Sequence, residues 1–168
     1  MIDDLERDLI GGRARWMAEL NEFFREYTVG DVSFNLVARG RTRSRGFFLS
    51  RFFSSTVLPD YSVSLFCVDE TSGPTLTAEK LHKKMDAVLH FIQEEGEKWA
   101  WLVVFSGREL PPSVVAYASR YDRRELGLAV ASTTSGQIIV SNNQIGRSIK
   151  KQLKLPKVLE RFQRAKTE

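Results

Sequence analysis

Two uninterrupted apolar runs constrain the fold of this chain more than any other feature: WAWLVVF at 99–105 and LGLAVAST at 126–133. Strands without polar alternation are typical of sheets that are covered on both faces. Each run is far shorter than the ~20 residues of a membrane span. The runs therefore predict two central strands of a layered α/β sheet, with Leu102 and Val104 in one and Leu128 and Val130 in the other.

Apolar periodicity and turn residues place further elements around these runs. The predicted elements are a helix over 5–27 with a break at 11–12, strands over 32–38, 46–53 and 61–68, a helix over 77–95, the strand 99–105, a helix from 112 to about 121, strands over 126–133 and 137–141, and a last helix followed by a basic tail. The order predicts a single domain over 1–168 with a mixed α/β (α+β) sheet and helices on both faces.

The composition indicates an intracellular protein. The 168 residues are 42% hydrophobic and include one cysteine, Cys67, so an internal disulfide framework is excluded. The acidic start MIDDLERD differs from a secretory signal. We expect a protein of the cytoplasm, or of the nucleoid or nucleus, that has no membrane contact.

Positive charge is concentrated in two segments, although the net charge is only +4. Residues 39–58 contain five arginines and no acidic residue, and residues 146–168 contain eight basic residues against two acidic ones. Such clusters are typical of proteins that bind a polyanion, although basic runs also occur as solvated surfaces. We expect nucleic acid to bind at the hairpin over 39–46, at the strand that follows it, and at the C-terminal helix and tail over 144–168. The predicted binding residues are Arg39, Arg41, Arg43, Arg45, Arg51, Arg147, Lys150, Lys151 and Lys154.

The arginines at 39, 41, 43 and 45 have the opposite parity to the apolar residues Val32, Phe34 and Leu36. In an extended chain, all four therefore project away from the apolar face. A hairpin made only for solubility would usually mix charges of both signs, since neighbouring like charges repel. The pattern favours contact with nucleic-acid phosphates over a merely solvated arm.

The element order and several segments resemble the PD-(D/E)xK, restriction-endonuclease-like superfamily. These segments are YSVSLFCVDET, LHKKMDAVLHFI, WAWLVVFSGREL, SVVAYASRY and LGLAVASTTSGQIIVSNN, within roughly 20–155. The resemblance implies an αβββαβαβ core. It also implies a Mg²⁺ site formed by acidic residues on neighbouring strands, with a lysine two positions after the second acid.

The chain departs from this pattern at the acids themselves. Pro59-Asp60 matches the first part, but in the next strand Cys67 occupies the expected acid position and Asp69 the expected lysine position. Reading from Asp69 or Glu70 instead places Thr71 or Ser72 at the lysine position. The residual catalytic candidates are Asp60, Asp69, Glu70 and Lys83, and Mg²⁺ is expected as a cofactor only if the active site has moved onto them. Otherwise we expect no catalytic residue, no metal and no cofactor.

Two functions remain open at this point, besides an active metal-dependent nuclease with a migrated active site. The first is a non-catalytic nuclease-like domain that binds DNA or RNA as an accessory subunit of a larger complex. The second is a protein-interaction module of a transcription or ribonucleoprotein assembly. In both cases a protein partner is expected.

Overall fold

The computed structural model describes residues 1–12, 18–42 and 61–167, with side chains up to residue 165. The helices are α1 (Ile2–Ile10), α2 (Ala78–Glu95), α3 (Pro112–Arg120), α4 (Gln144–Gln152) and α5 (Leu155–Thr167). The strands are β1 (Ala18–Val29), β2 (Val32–Thr42), β3 (Ser62–Glu70), β4 (Trp99–Ser106), β5 (Leu126–Ser132) and β6 (Ile138–Val140).

The strands form one mixed six-stranded sheet in the order β1-β2-β3-β4-β5-β6. The first three strands form an antiparallel meander, β3, β4 and β5 run parallel, and β6 returns antiparallel to β5. This confirms the predicted mixed α/β sheet. Leu102, Val104, Leu128 and Val130 lie fully buried in β4 and β5, as the apolar runs indicated.

Helices cover both faces of the sheet, and each face has its own apolar core. One core joins β2, β3, β4 and β5 to α2 and α3, through residues such as Phe66, Met85 and Val114. The other joins the opposite face to α1, α4 and α5, through residues such as Leu5 and Trp101. Among the described residues, no helix is both long and apolar enough to cross a membrane.

The predicted N-terminal helix over 5–27 is wrong beyond Ile10, because residues 18–29 form the edge strand β1. Two irregularities in β1 imitate helical spacing. A register shift between Leu20 and Glu22 brings Leu20 and Phe23 to the same core although they are three residues apart. Glu26 has φ +48°, and Phe24 and Tyr27 contact each other across it with ring centroids 5.7 Å apart.

The predicted hairpin at 39–46 is also wrong in its first half, since β2 continues as a regular strand to Thr42. Gly40 permits close packing there, not a bend: a Cβ at this position would lie 1.8 Å from the backbone oxygen of Glu19. Residues 43–60 lie outside the described part of the chain, and with them the predicted strand over 46–53.

The C-terminal segment folds as two helices instead of a helix and a tail. The chain turns between them at Lys154, which has φ +47°. Leu155, Val158 and Leu159 of α5 are buried in the second core. The basic residues of this segment are therefore displayed on helices that pack against the sheet.

Candidate nucleic-acid interface

Basic side chains gather at the edge of the sheet where β3, β4 and β5 begin and β2 ends. Arg41 pairs in register with Ser62 at the start of β3. Lys98 directly precedes β4, and Arg124 lies two residues before β5. The three cations come from three separate segments. They line one border of the molecule because the parallel strands β3, β4 and β5 begin there and the antiparallel strand β2 ends there. We call Arg41, Lys98, Arg124 and Arg147 of the adjoining α4 the basic edge.

The four side chains of the basic edge are exposed. Within the described residues, none of them forms an ion pair with a carboxylate. Lys98 has its amine 5.9 Å from the centre of the Tyr61 ring. Among the described residues, the side chain of Arg147 forms one long hydrogen bond, 3.4 Å, from Nε to the backbone oxygen of Asn143. These charges are accessible to a ligand.

Arg39 differs from this set because it is already engaged. Its guanidinium donates hydrogen bonds to Glu95 at 2.7 Å and to Glu97 at 3.3 Å, and lies over the ring of Phe91. Arg39 thus faces α2, on the same side of the sheet as the apolar residue Val37. The expectation that the alternating arginines all project away from the face of Val32, Phe34 and Leu36 does not hold for Arg39, since Val32 and Phe34 belong to the same core as Val37.

Glu97 is the buried member of this group, with a fully inaccessible side chain. Its Oε1 accepts hydrogen bonds from Ser64 at 2.8 Å and from Arg39. Burial raises the pKa of Glu97, while Ser64 and Arg39 act in the opposite direction. Arg39 therefore has a structural task, which is to neutralise a carboxylate beneath the basic edge.

The remaining predicted cations of the C-terminal segment are exposed on or after α4. Arg147 lies in the first turn of α4, near the start of β5, and belongs to the basic edge. Lys150 and Lys151 follow in the same helix, and Lys154 lies just after its end. The predicted contacts Arg43, Arg45 and Arg51, and the catalytic candidate Asp60, fall outside the described residues.

The other catalytic candidates lie at the opposite edge of the sheet, where β3 ends, and they do not converge. Asp69 accepts hydrogen bonds from the backbone nitrogen and hydroxyl of Thr71, at 3.0 and 2.6 Å. Glu70 pairs with Lys84 at 2.6 Å, and Lys83 pairs with Asp31 at 2.5 Å. Among the described residues no group of three or more His, Cys, Asp or Glu side chains could hold a metal ion.

Cys67, which the resemblance to the PD-(D/E)xK pattern would align with a metal-binding acid, is a residue of β3. It is fully buried and pairs in register with Leu36 of β2 and Val103 of β4. Burial raises the pKa of the Cys67 thiol. At this position the chain therefore has a neutral core residue instead of a metal ligand.

Two members of the basic edge, Lys98 and Arg124, were missed in reasoning from the sequence. Both are basic residues that shortly precede a buried strand, WAWLVVF in one case and LGLAVAS in the other. The sequence pattern indicates that both strands are buried but does not show that they run parallel. The shared position of the two cations at one edge of the sheet follows only from that parallel pairing. A search for basic residues just before apolar runs could have found them.

Comparison with known proteins returned no match: no family model, no curated protein and no solved structure resembles the chain significantly.

Proposed function

We propose that the chain binds nucleic acid through its basic edge and is a non-catalytic, nuclease-like domain. The observation that carries the proposal is the set Arg41, Lys98, Arg124 and Arg147, four exposed cations from four segments that have no acidic partner among the described residues. Unpaired cations in a row attract a polyanion and release its counterions on binding.

The spacing of these cations suits a nucleic-acid backbone. Arg41 in β2 and Arg124 before β5 are separated by three strand spacings of ~4.8 Å, or roughly 14 Å across the sheet. This distance corresponds to about four phosphates of one strand, whose axial charge spacing is about 3.4 Å. Such contacts position a protein on a duplex without reading its sequence.

The relationship to PD-(D/E)xK nucleases is part of the same proposal. It is supported by the meander of three antiparallel strands, which is followed by a helix, a parallel strand, a second helix and a further parallel strand. The lack of catalysis is supported by the buried Cys67 at the acid position and by the separate engagements of Asp69, Glu70 and Lys83.

In this proposal the chain acts as an accessory subunit inside the cell and delivers a partner protein to DNA or RNA. The residues Arg43, Arg45 and Arg51 would extend the phosphate contacts, since the ends of β2 and β3 that flank 43–60 lie at the basic edge. Lys150, Lys151 and Lys154 would add contacts along α4.

The test is a salt titration of binding to a short labelled DNA duplex, followed by fluorescence anisotropy. We expect measurable affinity at low salt, with log K falling linearly as log salt rises. Unrelated duplex sequences should bind equally well. If the protein binds neither duplex nor single-stranded DNA or RNA at low salt, the proposal falls and the protein-interaction function becomes the better explanation.

A further inference from the structure

A polar pocket adjoins the basic edge, between the turn that precedes β5 and the start of α4. It has a volume of about 490 Å³ and is lined mainly by Asp122, Arg124, Asn142, Gln144 and Arg147. The volume falls in the range of sites that hold small organic ligands, ~300–1,000 Å³. The pocket is therefore large enough for a single nucleotide.

Asn143 fixes the walls of this pocket to the sheet. Its side-chain amide donates hydrogen bonds to the backbone oxygens of Arg123 at 2.7 Å and Leu126 at 2.8 Å. Its side-chain oxygen accepts from the backbone nitrogen of Gly146 at 2.6 Å, which caps α4. One buried side chain thus connects the turn, the strand and the helix, and the geometry of the pocket does not depend on a ligand.

The lining groups, in contrast, are available. The side chains of Asp122, Arg124, Asn142 and Gln144 form no hydrogen bond or ion pair with another described residue. Toward the described part of the chain, Arg147 uses one of the five donors of its guanidinium, Nε, in the 3.4 Å contact with Asn143. The pocket therefore offers two cations, two amides and one carboxylate, all without a described partner other than that contact.

This combination matches the chemistry of a nucleotide. Asn and Gln amides present a donor and an acceptor side by side, which complements the edge of a base, and a carboxylate accepts from an exocyclic amino group. Arginine complements the phosphate. A base inside a duplex has its pairing edge occupied and cannot enter a pocket without leaving the stack.

We propose that this pocket holds one unpaired nucleotide of a nucleic-acid strand whose phosphates contact the basic edge. The inference rests on the proposed function and narrows it: the preferred ligand is a strand end, gap or junction with an unpaired base, and not a continuous duplex. Asn142 and Gln144 contact the base, and Arg124 and Arg147 contact its phosphates.

The test compares three DNA probes that share one duplex. The first has blunt ends, the second carries two-nucleotide single-stranded tails, and the third carries tails of the same length made of abasic sugar-phosphate. The last two have equal charge, so they differ only in the bases. We expect the unmodified protein to bind the tails with bases about tenfold more tightly than the abasic tails, as one two-point amide contact with a base would give.

The double variant Asn142→Ala, Gln144→Ala should lose this preference and keep its affinity for the blunt duplex, because it changes no charge. The control is Gln93→Ala, Gln137→Ala, which removes two exposed amides elsewhere and should keep the preference.

Equal binding of both tailed probes by the unmodified protein would overturn the inference, as would a preference that survives in the double variant. In either case, binding of the blunt duplex would leave the proposed function standing. Failure to bind all three probes at low salt would remove both.

Discussion

Arg39 and Glu97 form an ion pair at the border of the sheet, with 3.3 Å between a guanidinium nitrogen and the carboxylate Oε1. The glutamate is buried and Arg39 is about one quarter exposed. Two positions further along the same strand, Arg41 is exposed and forms no ion pair within the described residues. Two arginines of one alternating pattern therefore differ in role: Arg39 forms a structural ion pair, and Arg41 is accessible to a ligand.

The substitution Arg39→Ala should lower the free energy of unfolding by about 2 kcal/mol, since it leaves the buried carboxylate of Glu97 without its cation. Arg41→Ala should change stability by less than about 0.5 kcal/mol, as is usual for exposed positions, and should weaken binding to DNA. Urea unfolding and duplex binding of both variants measure the difference. Equal losses of stability in the two variants would contradict this division of tasks.

Glu97 should also make stability depend on pH. Burial raises its pKa in the folded state above the ordinary value of 4.5, so the folded state binds this proton more tightly than the unfolded chain does. The resulting contribution to stability is complete below about pH 4.5 and is lost as pH rises through the raised pKa. Arg39 and Glu95 are the charged groups that face Glu97. Both are retained in the unmodified protein and in a variant that changes Glu97 alone.

The substitution Glu97→Gln removes this titration while leaving an acceptor for Ser64. The melting temperature of the variant relative to the unmodified protein should therefore increase as pH rises from about 4.5 to neutral. Thermal melts across this interval provide the measurement. A difference that stays constant, or that decreases with pH, would show that the pKa of Glu97 is not raised.

The central position of β4 can be tested by Val104→Asp. Val104 is fully buried between the two layers of helices and pairs with Val68 of β3 and Val130 of β5. An unpaired charge at this position should cost more than about 4 kcal/mol, so the variant should be unfolded or aggregated. Circular dichroism and melting of the soluble fraction check this. A soluble variant with an unchanged melting temperature would contradict the assignment of β4 as a core strand.

Purified protein with Mg²⁺ or Mn²⁺ should not cleave single-stranded or double-stranded DNA or RNA. The reason is that Glu70 is paired with Lys84 and the carboxylate of Asp69 accepts two hydrogen bonds from Thr71. Gel assays with end-labelled substrates measure this. Metal-dependent cleavage that is lost in Asp69→Ala or Glu70→Ala, but kept in Glu79→Ala, would show an active site that has moved along the chain.

The central strands β4 and β5 were predictable because a strand that is buried on both faces consists almost entirely of apolar residues. WAWLVVF and LGLAVAST have no polar interruption before their final residues. Their length of seven or eight residues between turn residues favours a buried strand over a buried helix, which is usually longer. Helix α2 was predictable for a similar local reason: Thr77 caps its first turn through a hydrogen bond from Lys80, and Gly96 ends it in the left-handed region.

The edge strand β1 was not predictable from periodicity. Its register shift near Asn21 and the positive φ of Glu26 interrupt the period of two, and the apolar residues that remain are spaced like those of a helix. Such irregularities depend on the pairing partner, β2, which no local pattern reveals. They also make the edge less suitable for pairing with another chain.

The candidate site was predictable only in part, for a similar reason. Exposure of Arg41 and Arg147 followed from the local charge pattern, whereas the engagement of Arg39 depends on Glu95 and Glu97, more than 50 residues away in sequence. The contributions of Lys98 and Arg124 depend on the parallel alignment of β4 and β5. Long-range pairing decides which charges are accessible.

Salt dependence of duplex binding measures directly whether the basic edge contacts phosphates. The triple variant Arg41→Ser, Lys98→Ser, Arg124→Ser should be compared with Lys80→Ser, Lys83→Ser, Arg108→Ser, which removes the same charge from the opposite edge of the sheet. The basic-edge variant should fold normally and reduce the slope of log K against log salt by up to about 2.7, at about 0.9 for each lost phosphate contact. The control variant should keep nearly the slope of the unmodified protein. Equal slopes in all three proteins, or an equal reduction in both variants, would contradict a phosphate-binding role for the basic edge.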